Sequence, residues 1–124
     1  MARILVIDDD VAFNRLIEEY LIELGHQVIT AHNGREGFSR FESDTPDIVI
    51  SDIRMPKSDG LDLLLKIRNH DSHIPKGIIL MSGLGNAQNE NYIGTIQALG
   101  ATDLLQKPFP LSDLSEKIAQ ILAK

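Results

Sequence analysis

Three carboxylates, one lysine and one serine are spaced so that they could do chemistry together. Asp8 and Asp9 follow the apolar run Ile4 to Ile7, Asp52 closes the run Ile48 to Ser51, and Lys107 comes shortly after the apolar pair Leu104 and Leu105. A residue at the carboxyl end of a buried parallel strand points into the crevice where open α/β sheets bind ligands, so the three acids are expected on one edge. Two like charges about 4 Å apart, at an effective dielectric near 20, repel by about 4 kcal/mol. Three ionised acids therefore call for a divalent metal, a lysine or a shared proton, and Lys107 supplies part of that charge. Ser82, after the run Ile78 to Met81, brings a hydroxyl to the same edge.

Elements of alternating type must carry these residues to one place. Strand-like apolar runs alternate with helix-like periodic segments, five of each, and the short connections predict a βα-repeated parallel sheet. The first helix starts near Asp10, read as its cap, and carries Phe13, Leu16, Ile17, Tyr20, Leu21 and Leu24 at spacings of three and four before Gly25 stops it. Strand two is Gln27 to Ala31. Asn33-Gly34 then turns into a short helix with Phe38 and Phe41 inward, ended by Thr45-Pro46. Strand three, Asp47 to Ser51, is apolar on both faces and delivers Asp52. After Gly60 a third helix puts Leu61, Leu64, Leu65 and Arg68 on one face, with Asp59 as its cap. Strand four is Ile78 to Met81, helix four Asn89 to Leu99 and strand five Thr102 to Gln106. Helix five runs from Ser112 to Ala123 with Leu114, Ile118, Ile121 and Leu122 inward.

Composition narrows the function classes. A length of 124 residues with 43% hydrophobic side chains suits one domain with one core. The apolar runs are too short to span a bilayer and Met1-Ala2-Arg3 leads straight into a strand, which predicts a cytoplasmic protein with no membrane contact. The absence of cysteine removes disulfides, thiolate metal sites and a cysteine nucleophile. A net charge of −6 disfavours direct nucleic-acid binding, since phosphate contacts need clustered Lys and Arg. The four histidines, His26, His32, His70 and His73, show no ligand spacing, fall in turns or loops and read as surface residues. Any one of Asp8, Asp9 and Asp10 alone would read as a cap or a solvated charge; the signal lies in the set.

Taken in order, Leu5-Val6-Ile7-Asp8-Asp9-Asp10, Asp52-Ile53-Arg54-Met55-Pro56-Lys57-Ser58-Asp59-Gly60, Leu80-Met81-Ser82-Gly83, Gly100-Ala101 and Lys107-Pro108-Phe109 resemble the receiver domain of bacterial two-component response regulators, of the single-domain chemotaxis-regulator type. The resemblance covers residues 1–124 as one receiver domain with no output domain. It implies a flavodoxin-like, doubly wound five-stranded sheet of order 2-1-3-4-5 with five helices, an order that belongs to the family and not to the residue pattern. It also implies transfer of a phosphoryl group to Asp52 from a histidine kinase or histidine phosphotransfer protein. Asp52 would be the nucleophile. Asp9, Asp52 and the backbone carbonyl of Arg54 would hold Mg²⁺ directly, with Asp8 acting partly through water. Lys107 would pair with a phosphoryl oxygen, and the Ser82 hydroxyl would donate to another, which makes Ser82 the switch. A cis peptide is implied at Lys107-Pro108, and Met55-Pro56 and Gly60 would shape the loop behind Asp52.

The sequence departs from the family pattern in places that bear on output. The family usually carries an aromatic residue where Leu104 stands, and Tyr92 either packs helix four or stands in for it. The stretch from Ser82 to Gly100 is longer than usual, and its glycines predict a segment, Gly83 to Asn91, that orders on phosphorylation. Arg54 and Leu84 occupy positions from which family members tune the access of water to the acyl phosphate. Phe13 and Leu16 read as partly buried, at the start of the helix where the family's phosphodonor docks. The implied protein is a phosphoacceptor that catalyses only its own phosphorylation and dephosphorylation, a monomer or weak homodimer whose downstream partner the sequence does not name. Two alternatives stand beside it. One is a scaffold that binds partners without phosphorylation, suggested by Leu104. The other is a Mg²⁺-dependent aspartyl-phosphate phosphatase, disfavoured because the second acid expected two residues after the nucleophile is Arg54.

Overall fold

The computed structural model describes residues 2–53, 60–70, 72–83, 98 and 100–124. Their order is β1 (Arg3–Ile7), α1 (Val11–Glu23), β2 (Gln27–Ala31), α2 (Gly34–Asp44), β3 (Ile48–Asp52), α3 (Gly60–Arg68), β4 (Gly77–Ser82), β5 (Asp103–Gln106) and α4 (Leu111–Leu122). The helix expected over 89–99 lies, all but Ala98, outside the described residues. The strands form one parallel sheet in the order β2-β1-β3-β4-β5, as the family resemblance implied.

The apolar runs are near-continuous because the central strands are buried on both faces. Every residue of β3 and of β4 is buried. Successive side chains point to opposite sides, and two cores result. Leu5, Ile7, Val49, Ile78 and Leu80 pack with Phe41, Leu63, Leu64 and Ile67 of α2 and α3. Ile4, Val6, Ile48, Ile50, Ile79 and Met81 pack with Ile17 and Leu21 of α1 and Leu114, Ile118 and Ile121 of α4. Gly37 lets α2 lie close to β1, because a Cβ there would sit 2.6 Å from Ile7 Cδ1. The acidic end of β1 is thus covered tightly on that side.

Local signals set the helix ends. The Asp10 carboxylate accepts from Phe13 N at 3.1 Å. Asn33 Oδ1 accepts from Glu36 N at 2.8 Å while the Glu36 carboxylate accepts from His32 N at 2.7 Å, a reciprocal arrangement that satisfies two backbone donors. Thr45, at φ 42°, ends α2 in the left-handed region just before Pro46.

Several expected faces are corrected. In α1 the buried stripe is Asn14, Ile17 and Leu21, while Leu16 and Leu24 are 49% and 48% exposed. Leu16 lies one step off the i, i+3, i+7 line that meets the sheet, and Leu24 is the cap residue just past the end of α1. Among the described side chains of α3, Leu63, Leu64 and Ile67 are buried and Leu65 is exposed. Arg68 is half-buried and donates from Nε to the Gly100 carbonyl at 2.8 Å. His70 and His73 are not simple surface residues: their rings lie 5.3 and 5.5 Å from that of Phe41. His73 Nε2 sits 2.6 Å from the Pro46 carbonyl, which ties the end of α2 to the approach to β4. Strand bounds shift slightly, because Asp52 and Ser82 still belong to the ladder, Asp52 opposite Met81 and Ser82 opposite Gln106.

Candidate functional site

The carboxyl ends of β1, β3 and β4 and the start of the segment after β5 form the site. Pairing continues past β1, where Asp8 N donates to the Ala31 carbonyl at 3.1 Å. Asn14 reinforces this junction from α1. Its Nδ2 approaches the carbonyls of Ala31 at 2.9 Å, Asp8 at 3.3 Å and Val6 at 3.5 Å. Asn14 is 1% exposed, so the backbone that presents Asp8 is held by a buried amide. The sequence reading missed this residue. Its signal was a polar side chain on the stripe that continues through Ile17 and Leu21.

Asp8 is fully buried, Asp52 is 9% exposed and Asp9 is exposed. One carboxylate oxygen from each lies within 4.8 Å of the others. Lys107 Nζ donates to Asp8 Oδ2 at 2.7 Å and to Asp52 Oδ2 at 2.9 Å. Asp8 Oδ1 accepts from Asp10 N at 2.9 Å. Burial pushes the Asp8 carboxyl above the usual carboxylate range, outweighing the lysine and amide hydrogen bonds that draw it down. Burial alone would lower the Lys107 ammonium, but its hydrogen bonds to Asp8 and Asp52 outweigh that and raise it. At neutral pH the lysine is therefore charged.

The lysine reaches this place through backbone as well as charge. Lys107 N donates to the Ser82 carbonyl at 2.7 Å, and the Lys107-Pro108 peptide is cis. Ser82, 1% exposed, donates its hydroxyl to the Gly83 carbonyl at 3.1 Å. Leu104 stands opposite Leu80 in the sheet and packs against the core shared by α2 and α3. Gly60 is the first residue of α3. The structure brings together Asp8, Asp9, Asp52 and Lys107, and places Ser82 at the neighbouring strand end. The Arg54 carbonyl, Met55-Pro56, Asp59, residues 84–91 of the expected ordering segment and Tyr92 lie outside the described residues.

A parallel sheet in this order, with an acidic trio and a lysine at its carboxyl edge, defines a class of phosphoacceptor signalling modules and not a conventional enzyme. The chain belongs to the response regulator receiver domain family, which matches residues 4–119. It is the receiver domain of a two-component phosphorelay. It is 35% identical over 122 residues to a protein of Guillardia theta described as a probable transcriptional regulator, covering 98% of this chain and 46% of that one. The chain thus spans about half the length of the curated relatives it matches. Among solved structures, a response regulator receiver domain protein from Clostridium thermocellum is 33% identical with a TM-score of 0.88, covering 99% of this chain and 95% of that one. A signal receiver domain from Bermanella marisrubri is 36% identical with a TM-score of 0.85 and 97% of each chain covered. Among the described residues no helix is long and apolar enough to cross a membrane.

Proposed function

We propose that Asp52 accepts a phosphoryl group from a histidine kinase or histidine phosphotransfer protein and that the aspartyl phosphate switches binding to a downstream protein in the cytoplasm, with residues 1–124 acting as one receiver unit. The observation that carries this reading is Lys107 Nζ held between Asp8 and Asp52, at 2.7 and 2.9 Å. An Asp52 oxygen attacks phosphorus in line. The new P–O bond forms as the P–N bond of phosphohistidine breaks, and the imidazole nitrogen leaves with that electron pair and takes a proton. Lys107 is close enough to turn one N–H toward an oxygen of the arriving group, and a charge-assisted hydrogen bond there offsets charge as it accumulates.

The donor set fits a hard divalent cation. Three carboxylates converge within 4.8 Å and supply only oxygen ligands, the preference of Mg²⁺. Asp9, Asp52 and the Arg54 carbonyl would hold it, with Asp8 acting through water. When bound it supplies positive charge to the phosphoryl oxygens. Ser82 would release the Gly83 carbonyl and donate to the phosphoryl group. Because β4 and β5 pair at Ser82 and Gln106, and Leu104 lies two residues back on β5, a change at Ser82 would reach the core through Leu104 without an aromatic gate.

Leu104 also favours the second reading, a scaffold indifferent to phosphate. The deciding test is incubation with Mg²⁺ and acetyl phosphate, wild type beside Asp52→Asn, with intact mass as the readout. One labile phosphoryl adduct on wild type alone is expected. No adduct on the folded wild type, from acetyl phosphate or from a phosphohistidine donor, would leave the scaffold.

A further inference from the structure

We infer that Phe13 is a positioning residue for Lys107: its ring face holds the ammonium in the sector from which it reaches Asp8 and Asp52. Lys107 Nζ lies over the Phe13 ring, 4.5 Å from its centroid. The Phe109 ring meets Phe13 edge to face, with centroids 5.9 Å apart and planes at 85°. Phe109 follows Lys107 by two residues, so the segment that carries the lysine also braces the ring over it. All three side chains are partly buried.

An ammonium has three N–H donors and no acceptor. Two of those on Lys107 serve Asp8 and Asp52. The face of an aromatic ring is negative and attracts a cation, more so where water is scarce. The Phe13 face therefore satisfies the remaining side of the ammonium without offering a hydrogen-bond partner that would draw it away from the acids. A flexible four-carbon stem would otherwise let the head swing toward solvent. Phe13 gains its place from α1, where the Asp10 carboxylate caps the helix through Phe13 N at 3.1 Å. The ring, the cap and the acidic pair form one unit.

This inference rests on the reading of Lys107 as partner to an arriving phosphoryl oxygen. Acetyl phosphate needs no docking surface for a donor protein, so it isolates positioning from recognition. With Mg²⁺ and acetyl phosphate, Phe13→Leu is expected to slow labelling of Asp52 by about three- to tenfold, and Phe13→Tyr to stay within about twofold of wild type. In a Lys107→Met background, Phe13→Leu is expected to add no further slowing. The ε-methylene protons of Lys107 should be shifted upfield by the ring in wild type and Phe13→Tyr and should lose that shift in Phe13→Leu. If Phe13→Leu unfolds, Phe13→Met takes its place as a flexible apolar residue without a π face. Labelled wild type with unslowed Phe13→Leu would overturn the inference alone. So would equal slowing in the Lys107→Met background, which would mean that Phe13 acts through packing. Wild type unlabelled by acetyl phosphate and by a phosphohistidine donor would instead sink the phosphoacceptor reading, and the methylene shift would still report whether the ring sits over the lysine.

Discussion

Replacing Asp8 with asparagine is expected to stabilise the protein when no divalent cation is present. Asp8 is fully buried, and an oxygen of its carboxylate lies within 4.8 Å of one from Asp52 and one from Asp9. At an effective dielectric near 20, the repulsion of one such pair is about 3 to 4 kcal/mol. Against its removal stands the loss of a charge-assisted hydrogen bond from Lys107, worth about 1.5 to 3 kcal/mol, while Lys107 keeps Asp52 as a partner. An asparagine Oδ1 would still accept from Asp10 N. The balance favours Asp8→Asn by about 1 kcal/mol, or about 4 °C in melting temperature for a domain of this size. The raised Asp8 carboxyl points the same way. A fold that raises a carboxyl binds its proton more tightly than the unfolded chain does. That advantage is complete below the ordinary value of 3.8 and is lost as pH rises through the higher folded value, above which the full cost is present. The assay is thermal unfolding in EDTA and again with excess Mg²⁺. Wild type should gain on adding the cation, because a ligand that binds only the folded state stabilises it, and the variant should gain less. A variant that melts below wild type in EDTA would refute the reasoning, because the lysine bond would then outweigh burial and repulsion together.

Two further outcomes follow from groups outside the acidic trio. Asn14→Asp should cost about 3 kcal/mol or more and exceed the loss from Asn14→Ala, since it removes the donor from three carbonyls and sets a buried carboxylate against them; urea unfolding of the two variants ranks them. His26 accepts from Ala2 N at Nδ1 and is held below its ordinary value of 6.5, chiefly by burial, so the neutral ring belongs to the fold. Stability from this group is complete above about pH 6.5 and falls as pH drops toward the lower folded value. The melting temperature of wild type should therefore decline more than that of His26→Gln between about pH 7.5 and about pH 5.5, and parallel curves would exclude the contribution.

The strands and the acidic edge were legible because each depends on a short-range rule. An apolar run of four to six residues bounded by turn residues is the pattern of a strand buried on both faces, and the residue after it lies at the crevice. Asp10, Asn33 and Thr45-Pro46 likewise mark helix ends with their own side chains or dihedrals. What was not legible depends on which side of a helix meets the sheet. Leu16 and Asn14 differ by two positions, and hydropathy chose the leucine where geometry chose the asparagine. The amide belongs there because three carbonyls at the ends of β1 and β2 converge on its Nδ2, an arrangement no local pattern contains. His70 and His73 were misplaced for a similar reason, since Phe41 lies about thirty positions earlier in the chain. The lysine's contact with Phe13 joins residues further apart still.

A site of this kind works against the fold that holds it. The acids repel, and burial makes Asp8 costlier to ionise, yet the proposed phosphoryl transfer requires Asp52 and its neighbours charged. The opposing stability has to come from elements that do not take part. Ile48 to Ile50 are fully buried just before Asp52, and Ile4 to Ile7 just before Asp8. Each fully buried Val, Leu or Ile contributes roughly 1.5 to 3 kcal/mol, so two such strands together can offset the repulsion among the acids at their ends. Weakening a strand interior should therefore lower stability without changing the charge balance of the site. Neutralising Asp8 should do the reverse, raising stability while weakening the binding of a cation.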